Sequence, residues 1–180
     1  MYFEFPLPFM PPFLKVDLSG AAILLGAFIF GIGPAVSITL IKDLIHLTQT
    51  QTAGSGELAD FLMLSTLVII AVSVYKSHKS KKMAILGCLL GTLAMAFMGM
   101  LTNYFIILPF YSNMMPLEAI FEMCSTVNPH INGMQSYLIL GILPFNIIKG
   151  GILTFITMLL YKKLSVFIKN KHHFFHQNAN

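Results

Sequence analysis

The chain has 180 residues, 56% of them hydrophobic and 10% charged, with a mean hydropathy of +0.78. That composition excludes an ordinary soluble domain and is typical of a polytopic membrane protein. The formal net charge of +4 comes from eleven lysines without an arginine; they flank apolar segments, which speaks for orientation and lipid contact and against nucleic-acid binding.

In chain order, Met1–Phe13 is not a secretion signal. It lacks a basic start, and Pro6, Pro8, Pro11 and Pro12 interrupt what would be its apolar core. Five hydrophobic segments follow, and the expected fold is an all-α polytopic bundle of five transmembrane helices. The first runs from about Leu18 to Ile32 and the second from about Pro34 to Leu47, joined by a tight Gly31-Ile32-Gly33-Pro34 turn. Both are about 14 residues long, short of the usual ~20 for a span. The third is Leu58–Tyr75, after the polar loop Thr48–Gly56. The lysine-rich loop Lys76–Lys82 leads to the fourth, Met83–Tyr111, which contains no charged residue. The connection Ser112–Ser136 predicts a short amphipathic helix over Pro116–Val127 and a turn at Asn128-Pro129. The last span runs from about Ile139 to Tyr161. Residues 1–17 therefore read as an outer amino-terminal segment, 18–164 as the membrane bundle and 165–180 as a polar tail.

Lysine distribution sets the expected topology. Lys76, Lys79, Lys81 and Lys82 form one cluster, and Lys162, Lys163, Lys169 and Lys171 the other; both should be cytoplasmic, with the carboxy terminus inside. All seven acidic residues (Glu4, Asp17, Asp43, Glu57, Asp60, Glu118 and Glu122) then fall on the exterior or at the outer ends of spans. Counting spans back puts Met1–Asp17 outside, which predicts a further in-to-out span upstream of Met1.

Three lysines, Lys15, Lys42 and Lys149, are stranded on the acidic side. Lys149 interrupts the last span about 18 Å from its inner end, where an unpartnered lysine costs roughly 2.5–3.5 kcal/mol. Two readings stand: an ion pair with Asp43, Glu57 or Asp60, or a donor lining an outward-facing cavity. Asn146, one turn earlier on the same face, favours the second, and Pro144 reads as opening that part of the helix. Asn103 lies ~30 Å along the uncharged span, followed by Tyr104, Phe105 and a kinking or terminating Pro109; it is either an interhelical hydrogen bond or a site residue. Lys42-Asp43 and Gly56-Glu57-Leu58-Ala59-Asp60 read as a structural network that His46 joins. Cys88 and Cys124 read as separate structural thiols. His172, His173 and His176 sit on a tail without fixed geometry and do not read as a metal site. Neither HExxH, a phosphate-binding glycine loop nor GxSxG occurs, so no catalytic set emerges and any active transport must draw its energy from a partner.

Several of these runs resemble a known family. Phe5-Pro6-Leu7-Pro8, Phe13-Leu14-Lys15-Val16-Asp17-Leu18-Ser19, Leu40-Ile41-Lys42-Asp43-Leu44-Ile45-His46, Gly56-Glu57-Leu58-Ala59-Asp60-Phe61, Asn103-Tyr104-Phe105 with Leu108-Pro109, and Pro144-Phe145-Asn146-Ile147-Ile148-Lys149-Gly150 are similar, in order, to the riboflavin-binding S component of energy-coupling factor (ECF) transporters. The resemblance implies six membrane helices, with the first of them missing here. It implies a cell-membrane protein that captures riboflavin from outside, needs no cofactor, and works with a transmembrane coupling subunit and two cytoplasmic ATPases. Asn103, Asn146 and Lys149 match the family's flavin pocket, and the segment holding Leu14, Lys15 and Asp17 matches its pocket-closing loop. An S component for another vitamin or for a flavin nucleotide, and a small membrane enzyme using Lys149 with Glu57 and Asp60, are the alternatives.

Overall fold

The computed structural model describes residues 4–6, 14–50, 52–114 and 116–177, and for residues 4, 6 and 163–177 it describes the backbone alone. Most of Met1–Phe13, and the side chains of Lys163, Lys169, Lys171, His172, His173 and His176, therefore lie outside the described residues.

The amino-terminal segment carries the one departure from an all-helical chain among the described residues. Strand β1 (Glu4–Pro6) pairs antiparallel with β2 (Lys15–Asp17), in the register Glu4 to Asp17 and Pro6 to Lys15. Val16, β-branched and suited to a strand, is completely buried beneath it. The chain then turns into helix. Asp17 accepts from the Ser19 backbone N–H at 3.0 Å and from the Ser19 hydroxyl, so its carboxylate satisfies donors left open at the helix start.

Helix α1 (Ser19–Phe30) breaks at Gly31, whose φ of 96° suits a residue without Cβ, and α2 (Ile32–His46) follows directly. The break is one residue, tighter than the four-residue turn expected. α3 (Ser55–Ser77) and α4 (Lys81–Ser112) are joined through Ser80, whose hydroxyl accepts from the Met83 N–H. α5 (Leu117–Ser125) is the short outer helix, with Ile120 and Cys124 on its buried side one turn apart. The Asn128 turn is present, its side-chain oxygen accepting from His130 N–H. α6 (Met134–Lys162) is longer than expected at its start, and its helical backbone continues to Gln177.

α3, α4 and α6 are long and apolar enough to cross a membrane; α1 is apolar but only 12 residues long. Small residues set how closely they pack. A Cβ at Gly91 would lie 2.8 Å from the Leu67 carbonyl, and one at Gly87 would meet the Ala71 carbonyl. The Gly87-x-x-x-Gly91 spacing thus lets α4 lie against the backbone of α3, as small-residue spacings do in membranes where apolar burial alone drives little association. A Cβ at Gly150 would stand 2.6 Å from the Thr92 side chain, so α6 also packs closely on α4 there. Thr157 in α6 donates to Leu153 O (2.7 Å) and Ala21 O (3.1 Å), tying α6 to α1. The main core of Leu24, Leu64, Leu67, Val68, Met95 and Leu153 lies between α1, α3, α4 and α6. Outward-facing residues such as Phe30, Ile41, Ile45, Leu93, Phe97 and Phe155 are exposed, which suits a lipid-facing surface.

Both long outer helices widen by one residue per turn near one end, over Asn103–Ile107 in α4 and Tyr137–Ile142 in α6. Pro109 and Pro144 stand just beyond these wide turns. Proline has no N–H for the carbonyl four residues back, and its ring crowds it; a local shift of hydrogen-bond register accommodates both faults. Pro144 therefore does not open a helix, as its sequence suggests, but sits inside a continuous one, and Pro109 does not end its helix either.

Candidate functional site

The two wide turns pack against each other and form one side of a cavity of about 670 Å³. Its other walls are Leu14 and β2, the end of α2, the first turns of α3, and α5. These parts lie at the bundle end remote from Lys76–Lys82. The volume is in the range of pockets that enclose drug-sized molecules.

Polar groups converge on the wall between α4 and α6. Tyr137 O–H donates to Asn103 Oδ1 (3.1 Å), and Asn103 Nδ2 donates to Gly99 O (2.8 Å). Asn146 Nδ2 donates to Ile142 O (3.0 Å). The Asn146 carbonyl oxygen is buried with no hydrogen-bond partner, although the residue is only 2% exposed and lines the cavity. A buried acceptor of this kind costs free energy unless something bonds to it. Gly99 makes the arrangement possible. A Cβ there would stand 2.5 Å from Asn146 Nδ2 and 3.1 Å from Met63 Sδ.

On the adjoining wall Asp60 carries one lysine on each oxygen. Lys149 Nζ donates to Oδ1 at 2.7 Å, and Lys42 Nζ donates to Oδ2 at 2.6 Å. Lys42 also lies 3.1 Å from Asp43 and 3.5 Å from Asp17. Nearer the mouth, His46 Nδ1 is hydrogen-bonded to Glu57 Oε1 (2.8 Å) and the Thr52 hydroxyl donates to Glu57 Oε2 (2.9 Å). Cys124, under the α5 roof, is a free buried thiol that burial pushes up to about 11, so it is protonated packing material. Cys88 is likewise buried and free. Among the described residues no group of three or more His, Cys, Asp or Glu could hold a metal ion.

All six residues singled out from sequence (Leu14, Lys15, Asp17, Asn103, Asn146 and Lys149) line this one cavity. Lys15 is exposed, Leu14 is half-buried, and the others are buried. Of the three carboxylates considered for Lys149, the bonded one is Asp60. The ion-pair and cavity readings are not exclusive, because Lys149 both holds Asp60 and faces the cavity. His46 does join the outer charge network. Tyr137, Phe145, Met63 and Thr52 also line the cavity and Gly99 packs against Asn146; sequence reasoning did not single them out. Gly99 alone left a readable signal, standing twelve residues beyond Gly87 and eight beyond Gly91 on the same four-residue spacing.

A helical membrane bundle with a mostly apolar cavity at one end, furnished with a few donors and acceptors rather than a reactive set, has the form of a solute-capture protein. Residues 1–161 match the sequence profile described as "ECF transporter, substrate-specific component", and the chain belongs to that family. It is 32% identical over 168 residues to the riboflavin transporter RibU of Staphylococcus aureus (strain TCH60), covering 93% of this chain and 84% of that protein. It is 28% identical over 174 residues to the riboflavin transporter FmnP of Bacillus subtilis (strain 168), covering 95% and 87%. Among solved structures, one described as the S component of a bacterial ECF transporter superposes with a TM-score of 0.74 at 31% identity, covering 92% of this chain and 86% of that one.

Proposed function

We propose that this chain captures riboflavin at the outer face of the cell membrane, as the substrate-specific subunit of an ECF transporter. The observation that carries the reading is the partnerless, buried carbonyl oxygen of Asn146 in a cavity of flavin size, in a chain similar along most of its length to riboflavin transporters. Riboflavin is an uncharged, flat ring system with an imide edge that both donates and accepts, and a polyhydroxyl chain. The imide N–H satisfies Asn146 Oδ1, and Asn103 and Lys149 supply polar contacts beside it. Phe145, Met63, Ile107 and Leu108 offer apolar surface to the ring. Leu14, Lys15 and Asp17 bound the ligand from the amino-terminal side. Of the lysines near the mouth, Lys42 is already engaged by Asp60, Asp43 and Asp17, which leaves it little to offer the phosphate of a flavin nucleotide.

In this reading α1 and α2 also lie within the membrane, giving five helices, and the family relation brings a transmembrane coupling subunit and two cytoplasmic ATPases as partners. The cavity end faces outward and the carboxy terminus is cytoplasmic. Quenching of flavin fluorescence on titration with the purified protein should saturate at one riboflavin per chain. Riboflavin fluorescence left unquenched, with thiamine or biotin retained by the protein in equilibrium dialysis, removes the assignment. Orientation has its own measurement. Single cysteines placed at Ser112 or Thr48 should react with an impermeant maleimide from outside intact cells, whereas one at Ser80 should not; the opposite pattern inverts the topology.

A further inference from the structure

We propose that Asp60 is the positioning residue of the site, and that the chain Lys149–Asp60–Lys42–Asp17 links the ammonium facing the ligand to the strand that walls the cavity. The inference rests on the riboflavin-capture reading above. It adds Asp60 of α3 and Lys42 of α2, which that reading does not assign to the ligand, and it ends on Asp17 of β2.

Lys149 is the donor at the cavity, yet its long side chain has several rotamers and, if unheld, would have to be ordered each time a ligand binds. What holds it is a single carboxylate oxygen, Asp60 Oδ1 at 2.7 Å, between residues 89 apart in sequence. The other oxygen of the same carboxylate accepts from Lys42 at 2.6 Å, so Asp60 cannot swing toward Lys149 or away from it without breaking the second bond. Both ammoniums are held in a fork, one from α2 and one from α6, on a carboxylate from α3.

Lys42 continues the chain. Its ammonium lies 3.5 Å from Asp17 Oδ2, at the end of β2, whose neighbours Leu14 and Lys15 also line the cavity. Asp17 is at the same time fastened to the first turn of α1 through Ser19. A shift of the Lys149 ammonium toward a ligand therefore acts on Asp60, then on Lys42, and then on the strand over the pocket. The two bonds to Asp60 are charge-assisted and largely buried, where such bonds are strong and poorly screened, and the Lys42–Asp17 contact is a longer ion pair. In this arrangement the strand closes on an occupied site more firmly than on an empty one.

A double-mutant cycle tests the positioning role, with riboflavin affinity measured by fluorescence quenching and folding monitored by thermal melting without ligand. Asp60→Asn should weaken riboflavin binding about ten- to a hundredfold, as should Lys149→Met. The double variant should bind no more than about threefold worse than Lys149→Met alone, because Asp60 acts through Lys149. A double variant whose losses multiply overturns the proposal. Should Asp60→Asn alone not fold, the double variant still decides, since it removes one charge of each sign and is compared with Lys149→Met.

The link to the strand is tested with Asp17→Asn, which keeps an acceptor for the Ser19 N–H and leaves the Lys42–Asp60–Lys149 fork untouched. Riboflavin dissociation, followed by chasing with excess unlabelled ligand, should speed up about tenfold, with association changed less than about threefold. An unchanged dissociation rate overturns the link. Wild-type protein that does not bind riboflavin at all defeats the functional reading instead, and the two failures are thereby distinguished.

Discussion

Lys149→Met should reduce riboflavin affinity by about ten- to a hundredfold while leaving the ligand-free protein folded. A hydrogen bond from an ammonium to a ligand contributes roughly 1.5–3 kcal/mol, and each 1.4 kcal/mol is about a factor of ten in affinity. The stability side is decided by the sharing of Asp60. Removing one partner of a buried ion pair ordinarily costs about 3–5 kcal/mol, because the other charge is left uncompensated. Here Lys42 stays bonded to Asp60 at 2.6 Å, so the carboxylate keeps a counter-ion and loses a single bond. Removing a lysine from within a span also eases insertion, by up to about 2.5–3.5 kcal/mol. Titration and a ligand-free thermal melt on the same preparation separate the two effects. A variant with normal affinity and a much lowered melting temperature would make Lys149 a structural residue only.

Gly99→Ala should cost at least about tenfold in riboflavin affinity, although it adds only one uncharged methyl group. The added carbon would stand 2.5 Å from Asn146 Nδ2 and 2.9 Å from its Cγ, too close for any real side chain. Gly99 sits inside α4 and cannot retreat, and its carbonyl meanwhile accepts from Asn103 Nδ2 and from the Thr102 hydroxyl. The side chain of Asn146 has to leave its place, which breaks its bond to Ile142 O and takes its free carbonyl oxygen away from the ligand. Overpacking of this kind typically costs about 1–3 kcal/mol. Gly151→Ala is the control, since a Cβ at Gly151 meets nothing within 4 Å, and its binding should equal that of the wild type. Equal binding by Gly99→Ala would mean that Asn146 does not contact the flavin.

The α-helical segments were legible because each is a local property. The uncharged run from Met83 to Tyr111 and the outer amphipathic helix appear in the structure within a few residues of their expected ends. Lys149, Asn146 and Asn103 were legible for a related reason, as polar groups in apolar helices, where a partner or a ligand is needed. Pro144 misled because a proline in sequence carries no mark of the wide turn that absorbs it; of the two outcomes open at Pro109, ending or kinking, the helix runs on through it to Ser112. The pairing of β1 with β2 was not legible either: Glu4–Pro6 and Lys15–Asp17 are three residues each, too short for an alternation of apolar and polar residues to show.

By itself, then, the sequence determined that this is a membrane-embedded helical protein, which segments are apolar, and which few polar residues require explanation. Hydropathy and charge act over a single helix turn or a single span, so a chain read in order contains them. The tertiary structure alone decided which of three carboxylates meets Lys149, that the same carboxylate also holds Lys42 from another helix, and that Gly99 is empty so that Asn146 fits. Those facts depend on distances of about 3 Å between residues tens of positions apart, and hydrogen bonds and steric contact weaken sharply or reverse within about an ångström of such distances.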